Sequence, residues 1–307
     1  MSTLDDPRQV GLALVGSVGD ALRAARAWLA AEAQGETPEL DAQVLLAHVT
    51  GWPRTRLIAY PERALTTEQA GAYAELVARR AAGEPVAYLT GHRAFLGLDF
   101  LTDARALIPR PETELLVEEA LRIIRERLAR DEAHPPLVAD IGTGSGAIAV
   151  SIAAQEPRVA LIYATDVSAL ALALASENAE RLGVASRVRF LLGDLLEPLP
   201  EPVDLLAANL PYIAPRDAAT LPADVARFEP SMALYGAEDG LGHLRRFFAE
   251  AGGHLRPGGV ILVEFGYDQR SAVEELARAA FPRGIVRVYA DYAGWDRYAR
   301  IETVSGE

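Results

Sequence analysis

The stretch LVADIGTGSG, residues 137–146, decides the fold. Its first half, Leu137–Ile141, is a short apolar run typical of a buried strand, and the alternating glycines of Gly142–Gly146 indicate a tight turn. Apolar residues at positions 148, 149, 152 and 153 then recur at helical spacing. Glycines let the backbone approach a ligand closely, and a helix amino terminus offers free N–H groups. The stretch therefore predicts a site for a nucleotide-like ligand, although a purely structural turn or a dinucleotide-binding turn has the same spacing.

Beyond Pro111 the sequence alternates between strand and helix patterns, which predicts an α/β domain with a parallel sheet covered on both faces. The strand candidates are Leu137–Ile141, Leu161–Thr165, Val188–Leu192, Val203–Ala208 and Val260–Phe265. A helix is expected over Ala169–Leu182, with Gly183 as its carboxyl-terminal cap. Two later runs, Ile285–Tyr289 and Arg297–Thr303, are expected to pair as an antiparallel edge.

The amino-terminal part has a different pattern. From Ser17 to about Gly83 apolar residues recur every three or four positions and strand signals are missing, which predicts a small all-helical domain. Thr66–Gln69 is typical of a helix start and Gly51–Pro53 of a break. Between Pro85 and Pro111, short runs that include Val86–Leu89 favour a hairpin. We predict a helical substrate-recognition domain over residues 1–84, a β-hairpin linker over 85–111 and the α/β domain over 112–307.

Composition limits the function classes. Half of the 307 residues are hydrophobic and 24% are charged, which fits two globular domains. The chain has no cysteine, and its five histidines show no ligand spacing, so we expect no metal site. A formal net charge of -13 disfavours direct binding of nucleic acid. Because there is no long apolar run and Met1–Val10 lacks a targeting pattern, we expect a cytoplasmic protein without a membrane segment.

Three acidic residues follow successive strand candidates. Asp140 and Asp166 end the first two strands and Asp194 follows the third, so all three project from the edge where open α/β sheets bind ligands. S-adenosylmethionine has no pyrophosphate, and carboxylates suit it. We expect Asp166 to accept the ribose hydroxyls, Asp194 to accept the adenine amino group, and Asp140 to lie near the cationic methionine end. Strand-end or capping aspartates remain the alternative interpretation.

The fourth strand runs into Asn209-Leu210-Pro211-Tyr212. An amide nitrogen is a poor nucleophile because its lone pair is delocalised into the carbonyl. The side-chain oxygen of Asn209 and the backbone carbonyl of Leu210 can accept its two N–H groups and align it with a sulfonium methyl, while Tyr212 stacks on the amide plane. Pro211 holds Leu210 in an extended conformation, which keeps this carbonyl aimed. No general base is needed, since the proton can leave after methyl transfer.

These four residues resemble the Asn-Pro-Pro-Tyr motif of methyltransferases that act on adenine or glutamine amide nitrogens, with Leu210 in place of the first proline. Residues 79–91 and 108–114, RRAAGEPVAYLTG and IPRPETE, are similar to two signatures of the peptide chain release factor N5-glutamine methyltransferases, the HemK or PrmC family. The resemblance implies a class I S-adenosylmethionine-dependent methyltransferase, in which a Rossmann-like seven-stranded sheet is joined to the helical domain.

The same resemblance implies the substrate and the site. The substrate would be the glutamine of the Gly-Gly-Gln loop in class 1 release factors. Separately from the resemblance, we expect a monomer. The cofactor-binding residues would be Gly142, Thr143, Gly144, Ser145, Gly146, Asp166 and Leu195, with Asn209 touching both cofactor and acceptor. Leucine at 195 departs from the aromatic residue common in that family. Arg110 has two interpretations of equal weight, as a support of the acceptor pocket or as a brace of the hairpin.

Four rival functions remain. A DNA adenine methyltransferase shares the Asn209–Tyr212 chemistry, but it would have to extrude its base and grip phosphates. A ribosomal-protein glutamine methyltransferase is disfavoured by residues 108–114. An NAD-dependent dehydrogenase would explain the glycine turn and Asp166, but not Asn209–Tyr212. The last rival is a non-catalytic binding module.

Overall fold

The computed structural model describes residues 16–32 and 37–304. Within them the chain forms two compact units: the first comprises the described residues up to Gly91 together with Leu221–Phe228, and the second comprises the remainder. The boundary that we predicted at residue 84 therefore falls before the end of the first unit. No sequence pattern indicated that a segment following the Asn209–Tyr212 motif belongs to the helical unit. Residues 1–10, where we expected no targeting pattern, lie outside the described residues.

The first unit is helical, as the amino-terminal pattern predicts. Its helices are α1 (Val18–Glu32), α2 (Pro38–Thr50), α3 (Arg54–Ala59), α4 (Thr67–Ala81) and α5 (Val86–Thr90), with α9 (Ala223–Phe228) from the later segment. Leu29, Leu45, Tyr73 and Val77 are among the fully buried side chains of its core. The predicted start at Thr66 is confirmed, because this residue and Gln69 form a reciprocal capping box.

Residues 86–90 form a helix, so the strand that we expected over Val86–Leu89 is wrong. Pro85 stands before the first helical turn, and its carbonyl accepts hydrogen bonds from the backbone N–H groups of Tyr88 (3.0 Å) and Leu89 (3.1 Å). The helix ends at Gly91, whose φ of 73° lies in the left-handed region. A run of four mixed apolar residues carries too little periodicity to distinguish a strand from one helical turn.

The second unit begins with a hairpin inside the predicted linker, β1 (His92–Phe95) paired with β2 (Leu98–Leu101). The first strand of this hairpin is not the one that we predicted, since it starts after Val86–Leu89. The helices of the unit are α6 (Pro111–Arg130), α7 (Ala147–Gln155), α8 (Ala169–Arg181), α10 (Gly242–Ala251) and α11 (Arg270–Ala280). Its remaining strands are β3 (Val138–Ile141), β4 (Ile162–Asp166), β5 (Val188–Leu192), β6 (Val203–Ala208), β7 (Leu255–Glu264), β8 (Ile285–Ala290) and β9 (Asp296–Glu302). All five strand candidates, the late strand pair and the helix that starts at Ala169 are confirmed.

Seven strands form one sheet in the order β5-β4-β3-β6-β7-β9-β8. The first five of these are parallel, and β9 is antiparallel to both β7 and β8. Alternate strand residues are buried on opposite faces: Val138 packs in one core cluster with α6 and α7, and Ala139 in another with α10. Because the chain order reverses between β3 and β6, the carboxyl ends of these strands flank the crevice in which such sheets bind ligands.

Candidate active site

The glycine turn joins β3 to α7 and lines a pocket at the carboxyl edge of the sheet. Its glycines have φ values of 71° at Gly142, 56° at Gly144 and 83° at Gly146, all in the left-handed region that side chains disfavour. The N–H groups of Gly142 and Thr143 donate to the carbonyl of Thr165 at 2.9 Å, which ties the turn to β4. A Cβ at Gly142 would stand 3.0 Å from Leu210 Cδ2, so glycine permits the close approach of the turn to the Asn209–Tyr212 segment.

Two aspartates hold this turn. Asp140 is fully buried, and its Oδ2 accepts hydrogen bonds from Thr143 Oγ1 (2.6 Å) and the backbone N–H of Ala149 (3.1 Å). Burial raises the pKa of Asp140 to about 7. Asp166 lines the pocket, accepts from the backbone N–H groups of Gly144 (2.9 Å) and Ser168 (2.8 Å), and has its pKa raised by burial.

The carboxylate oxygens at this turn suit a ligand that carries positive charge and hydroxyl groups. The Asp140 Oδ1 atom is buried and has no hydrogen-bond partner among the described residues, so an acceptor is available beneath the turn. Asp166 carries further lone pairs at the pocket wall beyond its two backbone bonds. These residues fit S-adenosylmethionine, which brings a sulfonium, an ammonium group and ribose hydroxyls.

Asp194 and Leu195 line the pocket beyond β5. Asp194 forms an ion pair with Arg246 (2.6 Å) and its side chain is 45% exposed. Leu195 has a φ of 47°, and its carbonyl accepts a hydrogen bond from Thr165 Oγ1 (2.9 Å). The loop is thus held against β4, and the Leu195 side chain forms an apolar wall of the pocket.

Asn209 follows the last residue of β6 and lines the same pocket. Its amide nitrogen Nδ2 donates to Thr113 Oγ1 (3.0 Å), and that hydroxyl donates to Glu264 Oε2 (2.7 Å). Thr113 and Glu264 are 4% and 2% exposed. Thr113 lines the pocket beside Asn209, whereas Glu264 is not among the lining residues. Burial raises the pKa of Glu264 to about 7.

The rest of the predicted acceptor motif divides at Pro211. Leu210 and Pro211 line the pocket, whereas Tyr212 is not among the lining residues. The carbonyl of Tyr212 accepts a hydrogen bond from Gln269 Nε2 (2.9 Å), and burial raises the pKa of its phenol. Ile213 then exchanges backbone hydrogen bonds with the 234–236 segment, which fixes the chain after the motif.

Arg110 lines the pocket, which favours the first of its two interpretations, as a support of the acceptor pocket. Its guanidinium pairs with Glu229 Oε1 at 2.6 Å, and the other oxygen of Glu229 accepts from the backbone N–H of Ile108 (3.1 Å). The brace of the hairpin is instead Glu114, which accepts from the backbone N–H of Leu96 (2.9 Å). Glu229 is 1% exposed and therefore anchors two residues of the pocket wall.

The structure brings most of the predicted residues to one pocket. The predicted residues that line it are Gly142, Thr143, Gly144, Ser145, Asp166, Asp194, Leu195, Asn209, Leu210 and Pro211. The predicted residues Asp140, Gly146 and Tyr212 are not among the lining residues. Sequence reasoning missed the supporting roles of Thr113, Glu229 and Glu264. Thr113 stood inside the quoted 108–114 signature, whereas no local pattern marked the two glutamates.

No group of three or more His, Cys, Asp or Glu side chains in residues 16–32 and 37–304 could hold a metal ion. Of the helices that the structure describes, none is long and apolar enough to cross a membrane.

Similarity to known proteins agrees with this geometry. The family model for the PrmC N-terminal domain matches residues 20–91, and the model for the methyltransferase small domain matches residues 117–224. The release factor glutamine methyltransferase of Moorella thermoacetica is 48% identical over 263 residues, which cover 85% of this chain and 90% of that protein. The proteins of the same name from Bordetella pertussis and Burkholderia pseudomallei are 46% and 44% identical, and the matches cover 85% and 87% of this chain and 93% and 90% of the relatives.

These matches run through both units, from the helical domain to the sheet that carries the pocket. At such identity over nine-tenths of the relatives' length, the likeness extends to the whole protein and not to a shared cofactor fold alone. The chain belongs to the release factor glutamine methyltransferase family.

Proposed function

We propose that this protein transfers the methyl group of S-adenosylmethionine to the side-chain amide nitrogen, N5, of the glutamine in the Gly-Gly-Gln motif of class 1 peptide chain release factors. The observation that carries the proposal is the placement of Asn209. Its amide nitrogen is bound by Thr113, and it shares one pocket with the glycine turn and Asp166. A polar side chain so placed presents its remaining acceptor to a bound substrate.

The cofactor supplies an electrophilic methyl group on a sulfonium. The turn Gly142–Gly146 gives backbone close to it, and Asp166 accepts the ribose hydroxyls. Asp194 and Leu195 border the adenine. Asp140 contributes negative charge beneath the turn, which favours a cationic ligand.

The acceptor amide must be oriented before it can react. Asn209 Oδ1 and the Leu210 carbonyl accept its two N–H groups, so that the nitrogen faces the methyl group. As the nitrogen becomes positive, both acceptors bind it more tightly, which lowers the barrier. The proton is lost to water after the transfer, and the chain needs no histidine base.

The helical unit contributes the grip on an intact protein substrate. None of its described residues lines the pocket, and the family model for the PrmC N-terminal domain covers most of it. The enzyme acts as a monomer in the cytoplasm, where release factors work, and it does not bind nucleic acid directly. The net charge of -13 is consistent with a protein partner.

The test is single-turnover methylation of a class 1 release factor with saturating labelled cofactor. Mass spectrometry should locate the label on the glutamine of Gly-Gly-Gln. A release factor with alanine at this position should remain unlabelled. Label in a ribosomal protein or in DNA instead would contradict the proposed substrate.

Asn209→Ala should reduce the rate of methyl transfer by about 100- to 1000-fold, as for the loss of one preorganised polar group. Binding of the release factor should change far less, because its contact surface is larger than one amide. Asn209→Asp keeps an acceptor oxygen and should retain partial activity. If folded Asn209→Ala reacts within about threefold of the wild-type rate, Asn209 does not orient the acceptor.

A further inference from the structure

Glu264 is a buried carboxylate that the proposed chemistry does not use. It is the last residue of β7, and the parallel register places its neighbour Val263 opposite Ala208, the last residue of β6. Glu264 therefore lies beside Asn209 at the end of the adjacent strand. Thr113, in the first turn of α6, bridges the two side chains at 2.7 Å and 3.0 Å.

The available protons fix the direction of the hydrogen bonds that connect Glu264, Thr113 and Asn209. A threonine hydroxyl has one proton to donate, and an ionised carboxylate can only accept. While Glu264 is ionised, Thr113 must donate to it, and the Thr113 oxygen is left as an acceptor. Only the NH₂ end of the Asn209 amide can satisfy that acceptor, so Asn209 Oδ1 is turned away from Thr113 and left for the pocket.

We propose that Glu264 is a positioning residue, which acts together with Thr113 to hold the Asn209 amide with its oxygen toward the substrate. The inference rests on the proposed function for its consequence in catalysis, since it is the acceptor amide that needs this oxygen. The orientation of the Asn209 amide itself does not depend on the proposed function. Without the carboxylate, the Asn209 amide can bind Thr113 through either end, and the productive orientation becomes one of two.

The groups around Glu264 give the pH dependence. Burial raises its pKa to about 7, and Glu112 of α6 raises this pKa further. The hydrogen bond from Thr113, the charge of Arg297 of β9 and a side-chain hydrogen bond with Asn209 lower it. The Tyr212 phenol also interacts with this carboxyl, since burial and then the negative charge of Glu264 raise the pKa of Tyr212. A protonated Glu264 can donate to Thr113 and release the constraint. The rate should therefore fall as the pH falls through about 7, and it should reach its plateau above that value.

Asp140 has a pKa raised to a similar value, so a wild-type pH profile cannot by itself assign the group. Glu264→Gln removes the titration of Glu264 alone. We expect this variant to transfer methyl roughly 10- to 100-fold more slowly above pH 7, with a KM for the release factor within about threefold of wild type. The rate of this variant should also lack the pH dependence that comes from Glu264. The ratio of the variant rate to the wild-type rate should therefore approach one as the pH falls.

Threonine variants test the bridge. Thr113→Val keeps the shape and removes the hydroxyl, and should slow transfer as much as Glu264→Gln. Thr113→Ser restores the hydroxyl and should recover most of the rate. Glu156→Gln is the matched control: Glu156 is a carboxylate that is 3% exposed, bound by Arg158, and not among the pocket-lining residues. It should leave the rate and its pH profile unchanged.

A second measurement needs no substrate. The side-chain amide signals of Asn209, identified by their loss in Asn209→Ala, should shift in wild-type NMR spectra with a midpoint near pH 7. They should not show this transition in Glu264→Gln. If Glu264→Gln does not fold, the wild-type titration and Thr113→Val carry the same test. Asn209 signals that do not titrate near pH 7, or that keep the wild-type position in Thr113→Val, would overturn the inference.

Different outcomes would contradict the proposed function and the positioning role of Glu264. Absence of label on the release factor glutamine would contradict the proposed function, while the NMR titration would still decide the role of Glu264. Full activity of Thr113→Val at all pH values, with methylation of the glutamine intact, would overturn the inference and leave the proposed function standing.

Discussion

At the scale of single residues, two buried carboxyl groups lie next to residues of the pocket. Asp140 and Glu264 are both fully or almost fully buried, and burial raises the pKa of each to about 7. Neither has an arginine partner within salt-bridge distance in the described part of the chain. Carboxylates that stabilised the fold would have lowered pKa values, as Glu156 has through its bond from Arg158. The arrangement favours a cationic ligand or a developing positive charge over stability of the empty enzyme.

Because the pKa values of Asp140 and Glu264 are raised and that of Glu156 is lowered, the free energy of unfolding should depend on pH in opposite directions for these two kinds of carboxyl group. Asp140 and Glu264 hold protons up to about pH 7 in the folded state, but only up to about 3.8 and 4.5 when unfolded. Between these values the unfolded state binds fewer protons, so the free energy of unfolding should fall as the pH rises from about 4 to about 7. Asp140→Asn and Glu264→Gln should each reduce this pH dependence, by up to about 3 to 4 kcal/mol over the window.

Urea unfolding at several pH values measures the effect. Glu156 gives the opposite control, since its pKa is lowered to about 2 and its stabilisation is present above pH 4.5 and lost as the pH falls through about 2. Glu156→Gln should therefore be less stable than wild type near neutral pH. Equal pH slopes for wild type, Asp140→Asn and Glu264→Gln would contradict the raised pKa values.

Asp166 gives a prediction on cofactor binding. Asp166→Ala should weaken the affinity for S-adenosylmethionine by about 10- to 100-fold, since bonds to a charged acceptor contribute roughly 1.5 to 3 kcal/mol. The carboxylate also holds the N–H groups of Gly144 and Ser168, so some loss of stability is expected while the fold is retained. Calorimetry of the folded variant decides it. Unchanged affinity would remove Asp166 from the cofactor site.

At the scale of elements, the turn between β3 and α7 combines two demands on glycine. Gly142 has a φ of 71°, and a Cβ there would stand 3.0 Å from Leu210 Cδ2. Gly183, after α8, has the same φ of 71° and nothing within 4 Å of its added Cβ. Alanine variants at the two positions therefore separate the cost of the left-handed backbone, which both share, from the effect of the contact with Leu210, which only Gly142 has.

Gly183→Ala should cost about 1 kcal/mol of stability from the left-handed backbone alone, with methyl transfer unchanged. Gly142→Ala should cost more and should slow methyl transfer, because Leu210 has to move. Thermal unfolding and single-turnover rates of the two variants give the comparison. Equal losses in both, with equal activity, would show that the contact between residues 142 and 210 is unimportant.

At the scale of the whole molecule, each compact unit has its own core. The first unit includes Arg80, which is bound to Asp41 at 2.7 Å, with both side chains about one-tenth exposed, and lies 3.8 Å from Asp224. Arg79, the preceding residue, pairs with Glu84 on the surface and is 46% exposed. Buried and exposed ion pairs thus stand next to each other in one helix, and only the buried one is costly to break.

Arg80→Ala should destabilise the helical unit by about 3 to 5 kcal/mol, since it leaves Asp41 buried without its partner. Arg79→Ala should cost less than about 1 kcal/mol. If the helical unit grips the protein substrate, Arg80→Ala should keep its affinity for S-adenosylmethionine and lose methylation of the intact release factor. Calorimetry and methylation assays on both variants test this. Full methylation by an Arg80→Ala protein whose helical unit has unfolded would assign that unit another role.

The sequence alone determined the features that depend on neighbouring residues. Strand–turn–helix order around residues 137–155, the glycine turn and the Asn209 motif follow from local periodicity and from conformations that only certain residues adopt. The seven-stranded sheet, expected from resemblance, is also confirmed. The helix over 86–90 was missed because one helical turn has too few residues to show its period.

Only the tertiary structure decided which distant side chains support the site. Thr113 lies 96 residues from Asn209 and 151 from Glu264, and Arg110 lies 119 from Glu229. Each of these side chains is ordinary in its local sequence, and nothing in a strand-end glutamate distinguishes a solvated residue from a buried one. Their bonds arise because sheet order and register bring the ends of β6 and β7 against the start of α6, and that proximity is a property of the folded chain and not of any segment within it.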